Sequence, residues 1–164
     1  LYNNQDYNRR SYFCGSIWKT NKKEVNEWKL LCMKNGISCL FDREKDKDQH
    51  QNKIRYAYMA PAFQGETQRC SNKYFYIPCR IFKNISYGGL PITNNKGVYN
   101  MFKDYSVIFD TNLESLFNKV LEYRYWEKEN KDLYIQQMVD IMNHVKENHT
   151  FVNRINMLIQ FGFI

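Results

Sequence analysis

The chain carries no G-x-G-x-x-G and no G-x-x-x-x-G-K-[S/T]. Neither a dinucleotide fingerprint nor a P-loop is therefore supported. No H-E-x-x-H is present, and His50, His144 and His149 offer no ligand pair at i, i+4. A zincin-type centre is excluded on that pattern, and no nucleophile–His–Asp set can be read. The five cysteines, Cys14, Cys32, Cys39, Cys70 and Cys79, form no C-x-x-C. Their odd number and apolar neighbours predict reduced, buried thiols in a cytoplasmic protein, with no bound metal. No apolar run approaches the length of a membrane span, no signal-peptide pattern opens the chain, and there are no internal repeats.

What is present is a chain of 164 residues, 43% hydrophobic and 25% charged, with a net charge of +7. That is enough for one globular domain with a real core. The positive excess favours anionic partners in general, including nucleic acid, nucleotides and acidic membrane surfaces, and selects none of them. The first residue is Leu1, and the chain ends on the apolar stretch Met157 to Ile164. Both ends lead us to expect a piece of a longer protein. Residues 1–10, polar and aperiodic, read as a linker or arm, and residues 11–164 as a single domain.

Local patterns predict an alternation of strands and helices. Tyr12-Phe13-Cys14 reads as a strand, followed by the turn Gly15-Ser16-Ile17-Trp18. Asn21 with Glu24 has capping-box spacing. Val25, Trp28, Leu31 and Cys32 form an apolar stripe, and Gly36 ends that helix. Ile37 to Phe41 is a short apolar strand. The charged run Asp42 to Asn52 predicts a solvated loop, in which Asp46-Lys47-Asp48 forms a D-x-D triplet with no flanking strand. Ile54 to Ala60 reads as a third strand, and Pro61 to Gly65 as the turn leaving it. Lys96 to Asp104 is a short helix, and Ser106 to Asp110 a strand. Thr111 with Glu114 is a second capping-box pattern before the stripe Leu113, Leu116, Phe117, Val120 and Leu121. Leu133, Met138, Ile141, Met142 and Val145 mark another helix. Phe151, Ile155, Leu158 and Ile159 mark the last. Strands alternating with helices predict an α/β domain with a parallel sheet.

The stretch Tyr76 to Asn95 concentrates the chemistry. Pro78 suits a helix start, and Ile81, Phe82 and Ile85 make an apolar face. Arg80, Lys83, Asn84 and Tyr87 share the i, i+3, i+4, i+7 spacing of a second face. Gly88-Gly89 stops the helix, and Leu90-Pro91-Ile92 reads as a buried strand. Arg80 and Lys83 fall toward the start of this helix, where its dipole disfavours a cation by about 0.3–1 kcal/mol. A bound anion would remove that conflict. In open parallel sheets ligands lie beyond the carboxyl ends of strands. Three turns fit that position: Gly15 to Trp18, Pro61 to Gly65, and Thr93-Asn94-Asn95. Arg can grip a phosphate bidentately and Lys acts as a point charge.

Tyr76-Ile77-Pro78-Cys79-Arg80-Ile81-Phe82-Lys83-Asn84-Ile85-Ser86-Tyr87-Gly88 resembles the donor-side motif of glycosyltransferases of the two-Rossmann-domain GT-B fold. The nearest likeness is to group 1-like, spore-coat-type and viral or bacterial relatives. Cys14-Gly15-Ser16-Ile17-Trp18, Ala60 to Gly65, Val98 to Phe109 and His149 to Arg154 follow in the same order, so the likeness spans nearly the whole chain. It implies a Rossmann-like, carboxyl-terminal half that binds a nucleotide sugar, a UDP-sugar or GDP-sugar, with no metal. It further implies a covalently linked amino-terminal acceptor domain and a glycan, protein or small-molecule acceptor. By that likeness Gly15, Ser16, Arg80, Lys83, Asn84 and Ser86 would hold the donor and its phosphates. Asn84 and Ser86 would bond the ribose or sugar. Trp18, Gln64, Gly65, Thr93 and Asn94 would lie in turns close to it. The catalytic base would come from the other domain, so this half alone should bind nucleotide and turn over little. Two positions depart from the wider group 1 pattern. Lys83 stands where many members carry a ribose-binding glutamate, and Ser16 where many carry an arginine after the glycine. A different grip on the nucleotide follows.

Two other classes also fit the sequence. A basic nucleic-acid-binding module fits the charge, although Lys19, Lys22, Lys23, Lys73 and Lys131 are scattered and not clustered with aromatics. A non-catalytic glycosyltransferase-like scaffold would fold normally and ignore nucleotide sugars.

Overall fold

The computed structural model describes residues 8–15, 17, 21–42, 46–65 and 77–162. Strand β1 (Asn8–Cys14) leads to helix α1 (Lys22–Lys34) and strand β2 (Ser38–Asp42). Helix α2 (Lys47–Arg55) and strand β3 (Ala57–Met59) follow. Then come α3 (Cys79–Ser86), β4 (Ile92–Thr93), α4 (Lys96–Met101) and β5 (Ile108–Phe109). Three helices close the described chain: α5 (Leu113–Glu129), α6 (Lys131–Asn148) and α7 (Phe151–Gln160).

β1 is flanked by β2 and β3, both parallel to it, and β4 pairs with β5, again in parallel. The backbone beyond β3 joins the two pieces, since Ala62 N–H donates to Ile92 O at 2.8 Å. The order across the molecule is thus β2-β1-β3-β4-β5. The order reverses between β1 and β3, because β2 is laid on one side of β1 and all later strands on the other. This is an α/β fold with a small parallel sheet flanked by helices.

β1 is buried on both faces, as a central parallel strand must be. Phe13 faces one layer and packs with Trp28 of α1, Leu116 and Phe117 of α5, and Phe63. Tyr12 faces the other, with Ile54 of α2 and Ala60. A further cluster joins Ile81, Phe82 and Ile85 of α3 to Val98 and Phe102 near α4 and to Ile141 and Val145 of α6. Arg124 of α5 is buried, donates to Tyr58 O at 2.7 Å and pairs with Glu127 at 2.5 Å, which ties that helix to β3.

Several local expectations are corrected. Residues 8–10 belong to β1 and not to an arm; residues 1–7 lie outside the described set. The charged run is not all loop, because Asp46 caps α2 by accepting from Gln49 N–H at 2.8 Å. Lys-rich, Gln-rich sequence has adequate helix propensity, and the two apolar-side positions His50 and Ile54 supply the packing face. This gives the D-x-D triplet a capping role. The third strand is shorter than expected, since Ile54 to Tyr56 finish α2. No side-chain cap bond forms at Asn21, and α5 is capped by Asn112, one residue beyond Thr111, accepting from Ser115 N–H. The helix spanning α3 is only eight residues long, so Lys83 falls in its last turn, where a cation is favoured. The dipole conflict therefore concerns Arg80 alone. Cys32 is buried, and hydrogen bonding from Cys39, together with burial, pushes its thiol up. Cys14 and Cys39 are half-buried and Cys79 is exposed, which corrects the expectation of uniformly buried thiols; Cys70 lies outside the described residues. The stripe on α7 also faces out, with Phe151 83% exposed and Ile155, Leu158 and Ile159 all exposed. No described helix is long and apolar enough to cross a membrane.

Candidate functional site

The carboxyl end of β1 is where the fold brings the distant candidates together. Cys14 closes the strand and Gly15 turns out of it at φ +151°, a conformation almost confined to glycine. Gly15 N–H donates to Asp42 O, 3.3 Å away at the end of β2. Pro78 caps α3 with an extended backbone, which aims the first turn of that helix back at the sheet. Arg80, in that turn, crosses over the strand end. Its Nε donates to Cys14 O at 2.5 Å, and its Cζ lies 4.1 Å from the centre of the Phe13 ring. A Cβ placed on Gly15 would come within 2.0 Å of Arg80 Nη2. Glycine at position 15 thus makes room for the guanidinium. The Phe13 ring in turn stacks on Phe63 with centroids 4.8 Å apart, so cation and aromatic pair form one packed unit at the point of strand-order reversal.

The segment after β3 is not a solvent-facing turn. Ala60 through Gly65 are all buried and continue along β4. Gln64 N–H donates to Asn94 Oδ1 at 2.8 Å, and Asn94 Nδ2 returns a bond to Gln64 O at 2.9 Å. Asn95 Nδ2 donates to Gln64 Oε1, while Asn95 Oδ1 accepts from Gly97 and Val98 N–H and so caps α4. Thr93 Oγ1 donates to Ala62 O at 3.4 Å and accepts from Asn95 N–H at 3.1 Å. These side-chain bonds cross-link the carboxyl edge of the sheet.

Arg80 crosses over Gly15, two of the expected site residues thus meeting at the end of β1. Lys83 and Ser86 are exposed on the outer side of α3. Asn84 is corrected: it is 2% exposed and its Nδ2 donates to Ala60 O at 2.6 Å, so it anchors α3 to the end of β3 from within. Thr93 and Asn94, expected in a turn close to the donor, belong to the buried amide lattice, both 0% exposed. Gln64 and Gly65 lie at the same edge, buried. Ser16, Trp18 and Tyr76 lie outside the described residues.

The sequence placed Asn95 in a turn near the site but gave no individual role to Asn95, Asp42 or Lys96. Asn95 was visible as an Asn two residues before Gly97 in a helix-start pattern. Asp42 sits at the end of β2, its Oδ2 accepting from Lys53 Nζ at 2.8 Å; it was hidden in the charged run. Lys96 lies 4.6 Å over the Tyr99 ring, which stacks on Phe109. Farther along the edge, Asp110 accepts from Lys119 Nζ and Ser115 Oγ, both at 2.7 Å. The Lys119 bond, with those from Ser115 and the Asn112 backbone, holds the Asp110 carboxyl down at about 2 against the opposing effect of burial. Tyr12 OH, beside Asp42, is turned to His50 Nδ1 at 3.1 Å; burial foremost, then Cys14 and Asp42, push its phenol far up, so it stays protonated.

Chemically the edge offers a guanidinium over a glycine, the N-terminus of α3 beside it, and a hydrogen-bonded floor of amides. Such a combination is chemically suited to an anion with neighbouring hydroxyl or carbonyl groups. Comparison with family models, curated proteins and solved structures finds no match to this chain.

Proposed function

We propose that this chain is the donor-binding half of a GT-B glycosyltransferase, which holds a nucleoside-diphosphate sugar for transfer of the sugar to an acceptor. One observation carries the reading: Arg80 lies over Gly15 at the carboxyl end of the central strand, where the strand order reverses and ligands of open α/β sheets bind. The likeness of residues 76–88 to the donor-side motif supplies the ligand class. In such a transfer the departing diphosphate gathers negative charge as the glycosidic carbon–oxygen bond breaks. Arg80 and the first-turn N–H groups of α3 would meet that charge, already oriented before the reaction. Lys83, in the last turn of the same helix, would add a more distant positive charge.

Calorimetry with UDP, GDP, UMP and GMP tests the proposal. We expect at least one diphosphate to bind and to exceed its monophosphate. Arg80→Ala should remove that preference, because it deletes the fixed cation. Lys83→Ala sorts the second cation: loss confined to diphosphates puts its amine at the phosphates, and equal loss for all ligands puts it elsewhere. Absence of binding by any diphosphate at millimolar concentration overturns the assignment. Oligonucleotide binding that falls steeply with salt would favour a basic nucleic-acid module in its place.

A further inference from the structure

Among the described residues, two buried side-chain polar atoms have no hydrogen-bond partner: Asp42 Oδ1 and Gln64 Nε2. Such atoms are uncommon in folded proteins, and each calls for a reason. Their positions supply one. Asp42 is the last residue of β2, and Gln64 lies on the continuation of β3. β1 runs between those two strands, with Gly15 and Arg80 at its end. The two orphans therefore lie on the strands that flank the proposed anion seat, one on either side.

Their chemistries are opposite. Asp42 has already given Oδ2 to Lys53, so what remains is a carboxylate oxygen that accepts. Gln64 has committed its backbone N–H and C=O to Asn94 and its Oε1 to Asn95. What remains is an amide N–H that donates. Gln64 is only 3% exposed, and the Asn95 bond prevents the amide from flipping without losing a partner. An occupant of the end of β1 that satisfied both atoms would present a hydroxyl on the β2 side, negative charge in the middle and an oxygen acceptor on the β3 side. A nucleoside-diphosphate sugar has those three parts in that order: pentose hydroxyls, diphosphate, sugar oxygens.

Resting on the donor-binding reading above, we propose that Asp42 accepts a hydrogen bond from a pentose hydroxyl of the nucleotide, and that Gln64 Nε2 donates to an oxygen of the sugar. The ligand then runs from β2 to β3, with its diphosphate over Gly15 and Arg80. Both residues are specificity-determining contacts, neither breaks nor makes a bond, and the nucleoside end points away from α3.

The test pairs ligand deletions with residue deletions. The protein is titrated with UDP and GDP, with their 2′-deoxy and 3′-deoxy forms, and with UDP-glucose and GDP-mannose. Wild type should prefer a ribonucleotide over one of its deoxy forms by about tenfold, the factor set by one lost hydrogen bond to a charged group. Asp42→Ala should bind the ribonucleotide and that deoxy form equally. Gln64→Glu keeps the oxygen that Asn95 needs and replaces only the orphan nitrogen, so it should weaken the sugar nucleotide about tenfold more than the parent diphosphate. Thermal unfolding of each variant checks the fold, and Asp42→Asn and Gln64→Met repeat the comparison where the first variants do not fold. Because the readout is a ratio between two ligands on one protein, general loosening of the site does not move it. Ratios unchanged by the variants, or losses equal for both members of each pair, overturn this inference and leave the donor site standing. Wild type that binds no diphosphate overturns the donor-site reading, and this inference with it.

Discussion

Gly15→Ala is the sharpest perturbation of this site, because its cost can be worked from two separate sources. The first is local. At φ +151° an L side chain is strained, a penalty of about 1–3 kcal/mol. The second is non-local. The new methyl would stand 2.0 Å from Arg80 Nη2, 2.9 Å from Cζ and 3.2 Å from Nε, so the guanidinium must leave. Leaving breaks the Nε bond to Cys14 O, worth about 1.5–3 kcal/mol for a charged donor, and the contact over the Phe13 ring, worth about 0.5–2 kcal/mol. Water recovers part of that loss for a side chain that is half-buried. A total of about 2–4 kcal/mol lowers Tm by roughly 4–16 °C for a chain of this size. Thermal and urea unfolding of four proteins, wild type, Gly15→Ala, Arg80→Ala and the double variant, separates the two sources. If Arg80 fills the space above Gly15, alanine at position 15 costs clearly less in the Arg80→Ala background, where only the backbone strain remains. A coupling of about 1 kcal/mol or more is expected for residues in contact. Equal cost in both backgrounds refutes the reasoning, since it means that the guanidinium does not occupy that space.

Three further outcomes follow from the same geometry. Asn84→Ala leaves Ala60 O without its buried donor and should cost about 1–3 kcal/mol by urea unfolding, with affinity for every nucleotide lowered alike; loss confined to one ligand would make Asn84 a contact. Glu127→Ala strands the buried Arg124 guanidinium and should cost about 3–5 kcal/mol, read by the same assay, whereas a loss below about 1 kcal/mol would show the pair to be solvated. Asp110 contributes pH-dependent stability: its folded carboxyl titrates at about 2 against an ordinary 3.8, so the contribution is complete above about 4 and is lost as pH falls toward 2. Asp110→Asn should flatten the unfolding free energy in that window, and an unchanged slope there would remove Lys119 as the cause.

The fold was readable wherever one local signal dominated. The stripe Leu113, Leu116, Phe117 and Val120 specifies a helix at any position in the molecule, and α5 forms over it. Capping was read less well, because several neighbouring polar residues can serve and tertiary docking selects among them. Asn112 prevailed over Thr111, and Asn21 makes no cap bond. The charged run concealed α2 because its packing face is only His50 and Ile54, too sparse for a period to show. At the site, the anomaly of Arg80 near a helix start was visible from spacing alone. The part of the anomaly assigned to Lys83 disappeared once α3 proved short enough to place it in the last turn.

By itself the sequence determined the α/β class, the order of most elements and the identity of Arg80 as a misplaced cation. Each is a consequence of short-range periodicity, propensity or helix polarity. The tertiary structure alone decided which residues meet. Arg80 reaches Cys14 across 66 positions, and Gln64 is locked to Asn94 across 30. No local pattern encodes such pairs, because they depend on how the sheet orders its strands. Burial made the same kind of decision for Asn84, Thr93 and Asn94, whose polar side chains read as ligand contacts until neighbours from other strands took up their hydrogen bonds. It also left Asp42 Oδ1 and Gln64 Nε2 without partners. A residue type states what bonds a side chain can make, and only the folded surroundings state which of them are already made.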